Sequence, residues 1–145
     1  MNLKQLHDIA TRFREALESL PNHELPVTLQ NFPCGSCGDA TLLLGTYLIE
    51  QGFPPFSYML GERGERLEEN WTSHAWLERE GIIIDITADQ FLDKEDKVLI
   101  VQDSAWHALF CSEIRHVADY RIFERHMVAG LDRAYQKICS RLRET

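Results

Sequence analysis

The feature that most restricts how this chain can fold is a change of hydrophobic period at Pro54-Pro55. Before it, Leu3, Leu6, Ile9, Ala10, Phe13, Ala16, Leu17 and Leu20 recur at three- and four-residue steps and Pro21 ends the pattern, which predicts an amphipathic helix over residues 2–20. A second helical stretch, apolar almost throughout, runs over residues 40–50 and is stopped by Gly52 and Pro54. Beyond Pro55 the apolar runs are short. Residues 56–61, 73–79, 81–87 (with Ile82-Ile83-Ile84) and 97–102 have the length and composition of strands, and Arg79-Glu80-Gly81 reads as a hairpin turn. Residues 120–143 return to helical spacing through Ile122, Phe123, Met127, Val128, Leu131, Ala134, Tyr135 and Ile138. The expected architecture is α+β, with helices packed on a small, mostly antiparallel sheet.

At 145 residues and 44% hydrophobic content, one domain and one core account for the chain. It divides into an N-terminal helix (1–21), a central core (33–102) and a C-terminal helix (120–143), with no repeat, low-complexity tract or interdomain linker. Fifteen Lys and Arg against twenty-three Asp and Glu give a net charge of -8, which opposes binding to a phosphate backbone, so nucleic acid is not an expected partner. Charges interrupt the first twenty residues, so they form neither a secretory signal nor a membrane span, and a cytoplasmic location with no membrane partner is expected. In a reducing cytosol Cys34, Cys37, Cys111 and Cys139 are expected as free thiols. Nothing in the sequence sets the oligomeric state.

Cys37 falls at the first turn of the second helix, where unpaired N–H groups and the helix dipole favour the thiolate. In QNFPCGSCGDAT, Gly35 and Gly38 leave room for a carbonyl to approach the sulfur, and the Cys37 backbone N–H is placed to hold an oxyanion. A thiol nucleophile needs a base, and the base needs an orienting group. His74 (in SHAWLE) and Asp85 (in IIIDIT) supply them. A turn centred near Glu80 places residue 74 opposite residues 85–87, so cross-strand pairing brings imidazole and carboxylate together. A carboxylate in an apolar run needs a partner, and His74 is the nearest.

A cysteine at a helix start after a Gly/Ser-rich approach, then His-Ala-Trp on one strand and Asp-x-Thr on the next, resembles the transglutaminase-like branch of the papain-like cysteine protease superfamily. The resemblance spans about residues 33–89. It implies that Cys37 is the nucleophile, His74 the base and Asp85 its orienting acid, with amide chemistry as the activity: thiol protease, deamidase or acyltransferase, acting on a peptide or protein. It implies no cofactor and no metal. Cys34-Gly35-Ser36-Cys37 echoes the approach to the papain nucleophile, though Gly38 stands where papain-type enzymes have an aromatic residue. The glutamine that binds the oxyanion in those enzymes has Asn31 at its register and Gln30 one position earlier, so either is a candidate.

Other readings compete with this one. Cys34 and Cys37 form a Cys-x-x-Cys pair suited to redox or zinc chemistry, but the βαβ context and a second metal-binding pair are missing. Cys34 instead suits a resolving thiol for Cys37. Trp76 reads as core or as a cleft wall. His7, His23, His107, His116 and His126 fall on segments read as helix or loop and are assigned to surface or boundary positions. His107 and Cys111, read as lying on one helical turn, lack a cleft. Residues 62–69 (ERGERLEE) read as a solvated loop able to act as a lid. The alternative function is a catalytically silent binding or antitoxin-like module that uses the acidic surface to engage a protein partner.

Overall fold

The computed structural model describes residues 1–144, in which three α-helices pack against a five-stranded antiparallel sheet. Helix α1 (Leu3–Glu18) starts where the Asn2 side chain accepts from the Gln5 N–H, and its stripe of Leu6, Ala10, Phe13 and Leu17 is buried. Helix α2 (Cys37–Glu50) is apolar on most sides and correspondingly buried, and α3 (Ala129–Arg143) inserts Ala134, Tyr135, Ile138 and Leu142. One continuous cluster of buried apolar side chains joins all three helices to Leu77, Ile82 and Ile84 of the sheet. None of the described helices is long and apolar enough to cross a membrane.

The sheet comprises β1 (Ser57–Arg63), β2 (Thr72–Arg79), β3 (Ile82–Asp85), β4 (Leu99–Val101) and β5 (Cys111–Val117), in the order β4-β3-β2-β1-β5. Strands β2 and β3 form the expected hairpin, with Arg79 opposite Ile82. Glu80 and Gly81 make the two-residue turn with φ of 50° and 80°, the positive pair that matches hairpin twist and that glycine tolerates best. Side chains alternate across a strand. Ala75 and Leu77 therefore face the helices, whereas Met59, Trp76, Ile83 and Phe110 form a second, smaller cluster, flanked by Phe91, Val101 and Trp106.

Two sequence expectations are corrected near the C-terminus. The helix expected over residues 120–143 begins only at Ala129; residues 120–128 hold two single 3-10 turns, Tyr120–Ile122 and Arg125–Met127. Asp119 starts the first by accepting the Arg121 N–H, an Asx cap that competes with α-helix, and Ile122 and Met127 are exposed. Residues 111–117, read without a strand, form β5. All but His116 are exposed, so no alternation marks the segment, and pairing with β1 alone makes it a strand.

Candidate active site

Cys37, His74 and Asp85 arrive from three elements: the first residue of α2, the third of β2 and the last of β3. Leu77 pairs with Ile84, and continuing that register sets Asp85 opposite Trp76 and diagonal to His74. Across that diagonal His74 Nε2 lies 2.7 Å from Asp85 Oδ2, with the two residues 0% and 2% exposed. Because the carboxylate accepts, Nε2 carries the proton and Nδ1 is left on the side of Cys37, whose sulfur is close enough to interact with the imidazole.

The electrostatics follow from these contacts. Burial opposes ionisation of Cys37, but the His74 hydrogen bond and charge, the Ala75 backbone N–H and the Gln90 amide outweigh it and hold the thiol below its ordinary range. For His74, burial pulls downward, and the Asp85 and Cys37 interactions overcome it, raising the imidazole to about 9. Asp85 is penalised by burial and rescued by His107, His74 and the Thr87 N–H, which together keep it ionised well below the usual carboxylate range. Both shifts run in the direction of a thiolate–imidazolium pair resting on a carboxylate. Tyr58, whose hydroxyl stands 3.0 Å from where a Cβ on Gly38 would lie, is pushed up to about 12 by burial and the Cys37 charge.

Two members of the site escaped sequence reading. His107 belongs to a 3-10 turn, His107–Leu109, and is 2% exposed, which corrects its assignment to the surface. Burial is tolerated because both ring nitrogens are satisfied: Nε2 donates to Asp85 Oδ2 at 2.7 Å and the Ser104 hydroxyl donates to Nδ1 at 2.5 Å. Cys111 begins β5 and is exposed, so the two do not share a helical turn. The other missed residue is Gln90, at the end of a 3-10 turn, Ala88–Gln90; its Nε2 lies 3.3 Å from His74 Nδ1 and its Oε1 accepts the Gly35 N–H at 3.4 Å. Asp85-x-Thr87-x-x-Gln90 carried the signal, since an Asx-type turn after the strand returns the sixth residue toward the first.

The remaining expected residues divide. Gly38 lies beside Cys37 in the first turn of α2. Trp76 packs 5.7 Å from the His74 ring, with its Nε1 lacking a hydrogen-bond partner. Gln30 is committed elsewhere, its Nε2 donating to the Leu25 carbonyl at 3.0 Å, and Asn31 is exposed. Cys34 is a free, exposed thiol, and its N–H donates to the Asn31 carbonyl at 2.8 Å. Phe91, Trp106 and Phe110 enclose the His74 ring at 5.0, 5.6 and 5.8 Å and keep water from the His74–Asp85 bond. Gly61, paired with His74, permits this closure: a Cβ there would stand 2.7 Å from Phe110 Cβ and 2.9 Å from the Trp76 ring.

His74, Asp85 and His107 also present three ligand atoms within 4.8 Å of one another, a donor set compatible with a transition-metal ion. The two N···O separations of 2.7 Å are, however, those of hydrogen bonds with a proton on each Nε2. No family model, curated protein or solved structure matches the chain.

Proposed function

We propose that this chain carries out cysteine-dependent acyl chemistry on a peptide or protein amide, as the resemblance to transglutaminase-like and papain-like enzymes implies. The observation that carries the reading is the unbroken polar relay from the Cys37 sulfur through His74 to a buried, ionised Asp85. Such a relay is what thiol nucleophiles require, and it exceeds what packing alone asks of three polar residues.

In the proposed reaction the Cys37 thiolate attacks the carbonyl carbon. His74, protonated at Nδ1, delivers that proton to the departing amine. Neutral His74 then takes a proton from water, for hydrolysis or deamidation, or from an amine, for acyl transfer, as the thioester breaks. Asp85 stays ionised throughout, holding the tautomer and stabilising the imidazolium. Cys34 is close in sequence to Cys37 and exposed, which suits a resolving thiol under oxidation.

The test is acylation by p-nitrophenyl acetate, followed by peptide mass spectrometry. An acetyl adduct confined to Cys37, absent in Cys37→Ala and slowed in His74→Ala by about 10²-fold or more, is expected. Acetylation spread over Cys34, Cys111 and Cys139 at equal rates would refute the reading and favour a silent module that engages a protein partner through its acidic surface.

A further inference from the structure

We propose that Gln90 is the side-chain oxyanion donor of this site, the role for which the sequence offered Gln30 and Asn31. The inference rests on the nucleophile reading above and adds to it the group that meets the charge formed on the substrate oxygen.

Gln90 is firmly placed by contacts on both sides of its turn. Asp85 uses its two oxygens for different tasks. Oδ2 accepts from His74 and His107, whereas Oδ1 accepts the Thr87 N–H at 3.0 Å and so sets the turn that leads to Gln90. From the other side Arg14, reaching out of α1, grips Asp89 through two hydrogen bonds of 2.6 and 2.8 Å. The same guanidinium donates to the Ile86 and Lys97 carbonyls at 2.9 and 2.8 Å. The residue before Gln90 is thus pinned to a helix, and the start of its turn is pinned to the carboxylate that orients the histidine. A turn held in this way returns a side chain to one place with little entropy left to lose.

The orientation of the amide is fixed as well. Its Oε1 accepts the Gly35 N–H in the approach to Cys37, so Nε2 lies on the opposite side, 3.3 Å from His74 Nδ1, the nitrogen that faces Cys37, and close enough for the amide to favour the thiolate. An amide nitrogen held beside the histidine atom that faces the thiolate is held beside the place where an oxyanion forms when that sulfur attacks a carbonyl. In that step the sulfur lone pair forms the S–C bond and the carbonyl π pair moves onto oxygen. The new anion is met by Gln90 Nε2–H and by the backbone N–H of Cys37. Its collapse re-forms the carbonyl and expels the leaving group, with the amine proton coming from His74. Preorganised donors of this kind act where charge develops and require no reorganisation during the reaction.

Two reagents separate this role from simple support of the thiolate. Iodoacetamide alkylates sulfur by displacement of iodide, with no oxyanion, whereas p-nitrophenyl acetate acylates it through one. In Gln90→Ala, acylation of Cys37 is expected to fall about 10²-fold while alkylation, at a pH where the thiolate is fully formed, stays within about twofold. Gln90→Glu, which keeps the size and removes the donor, is expected to behave like the alanine variant and guards against a collapse of the turn. Equal losses in both reactions would overturn the proposal, because Gln90 would then act on the thiolate alone; so would undiminished acylation. If the unaltered protein alkylates at Cys37 but never acylates, the oxyanion assignment fails and the activated thiol stands. If neither reaction is selective for Cys37, the nucleophile reading fails and takes this assignment with it.

Discussion

Replacing Asp85 by Asn changes one atom of a residue that is 2% exposed and removes the charge on which the buried polar network depends. The carboxylate accepts hydrogen bonds from His74, His107 and Thr87, and an amide of the same shape offers one acceptor oxygen and one NH₂. Either the two imidazoles or the Thr87 N–H must then face a donor. The charge term can be sized from His74: the rise from 6.5 to about 9, driven against burial by Asp85 first and Cys37 second, corresponds to about 3 kcal/mol in favour of the imidazolium. Because the folded value is raised, this contribution is complete below pH 6.5 and is lost as pH climbs through about 9. Asp85 is depressed, so its own contribution holds above its ordinary value of 3.8 and disappears as pH falls. Stability gained from the pair is therefore greatest between these ordinary values. Asp85→Asn is expected to lower stability by about 3 kcal/mol at pH 6, near 10 °C in Tm for a chain of this length, with the gap narrowing toward pH 9.5. Urea titrations followed by tryptophan fluorescence, repeated across pH, measure it. A gap below about 1 kcal/mol that does not vary with pH would mean that the Asp85 charge does not hold the His74 imidazolium.

Two further outcomes follow from the packing around this network. His107→Phe fills the same space but removes the second donor to Asp85 Oδ2 and the ring acceptor of the Ser104 O–H; a loss of about 2 kcal/mol in chemical denaturation is expected, with slower Cys37 alkylation at pH 6 as Asp85 loses its hold. Gly45→Ala places a Cβ 2.5 Å from Ala118 Cβ and against the Ala118 carbonyl, where α2 meets the backbone after β5, so a thermal melt is expected to show one of the larger single-residue losses in the chain, about 3 kcal/mol.

The sequence revealed the elements whose burial follows a period, and with them most of the site. Leu6, Ala10, Phe13 and Leu17 at helical steps marked α1; Ile82-Ile83-Ile84 and the Glu80-Gly81 turn marked the hairpin; and the hairpin register brought His74 to Asp85. Cys37 at the start of α2 was legible because Gly52 and Pro54 end an apolar helical run whose beginning lies near that cysteine. What stayed hidden depends on contacts between distant segments. Strand β5 carries no alternation because neither of its faces is well covered, and only hydrogen bonding to β1 reveals it. His107 lies 22 positions after Asp85 in a segment without period, so nothing local distinguishes it from a surface histidine. Gln90 depends on a turn held by Arg14, 75 positions before the Asp89 it grips. Composition and periodicity report which faces are buried; they do not report which polar groups meet across the interior.

Whether Cys37 rests as a thiolate paired with His74 is read from the pH dependence of Cys37 alkylation by iodoacetamide in the native protein and in His74→Ala. Rapid labelling is expected, with a midpoint well below the ordinary thiol value of about 8.5 and a plateau up to about pH 9, and with a clearly higher midpoint in the variant, where only the Ala75 N–H and the Gln90 amide still oppose burial. Slow labelling with an ordinary midpoint, unchanged by the loss of His74, would contradict that pairing.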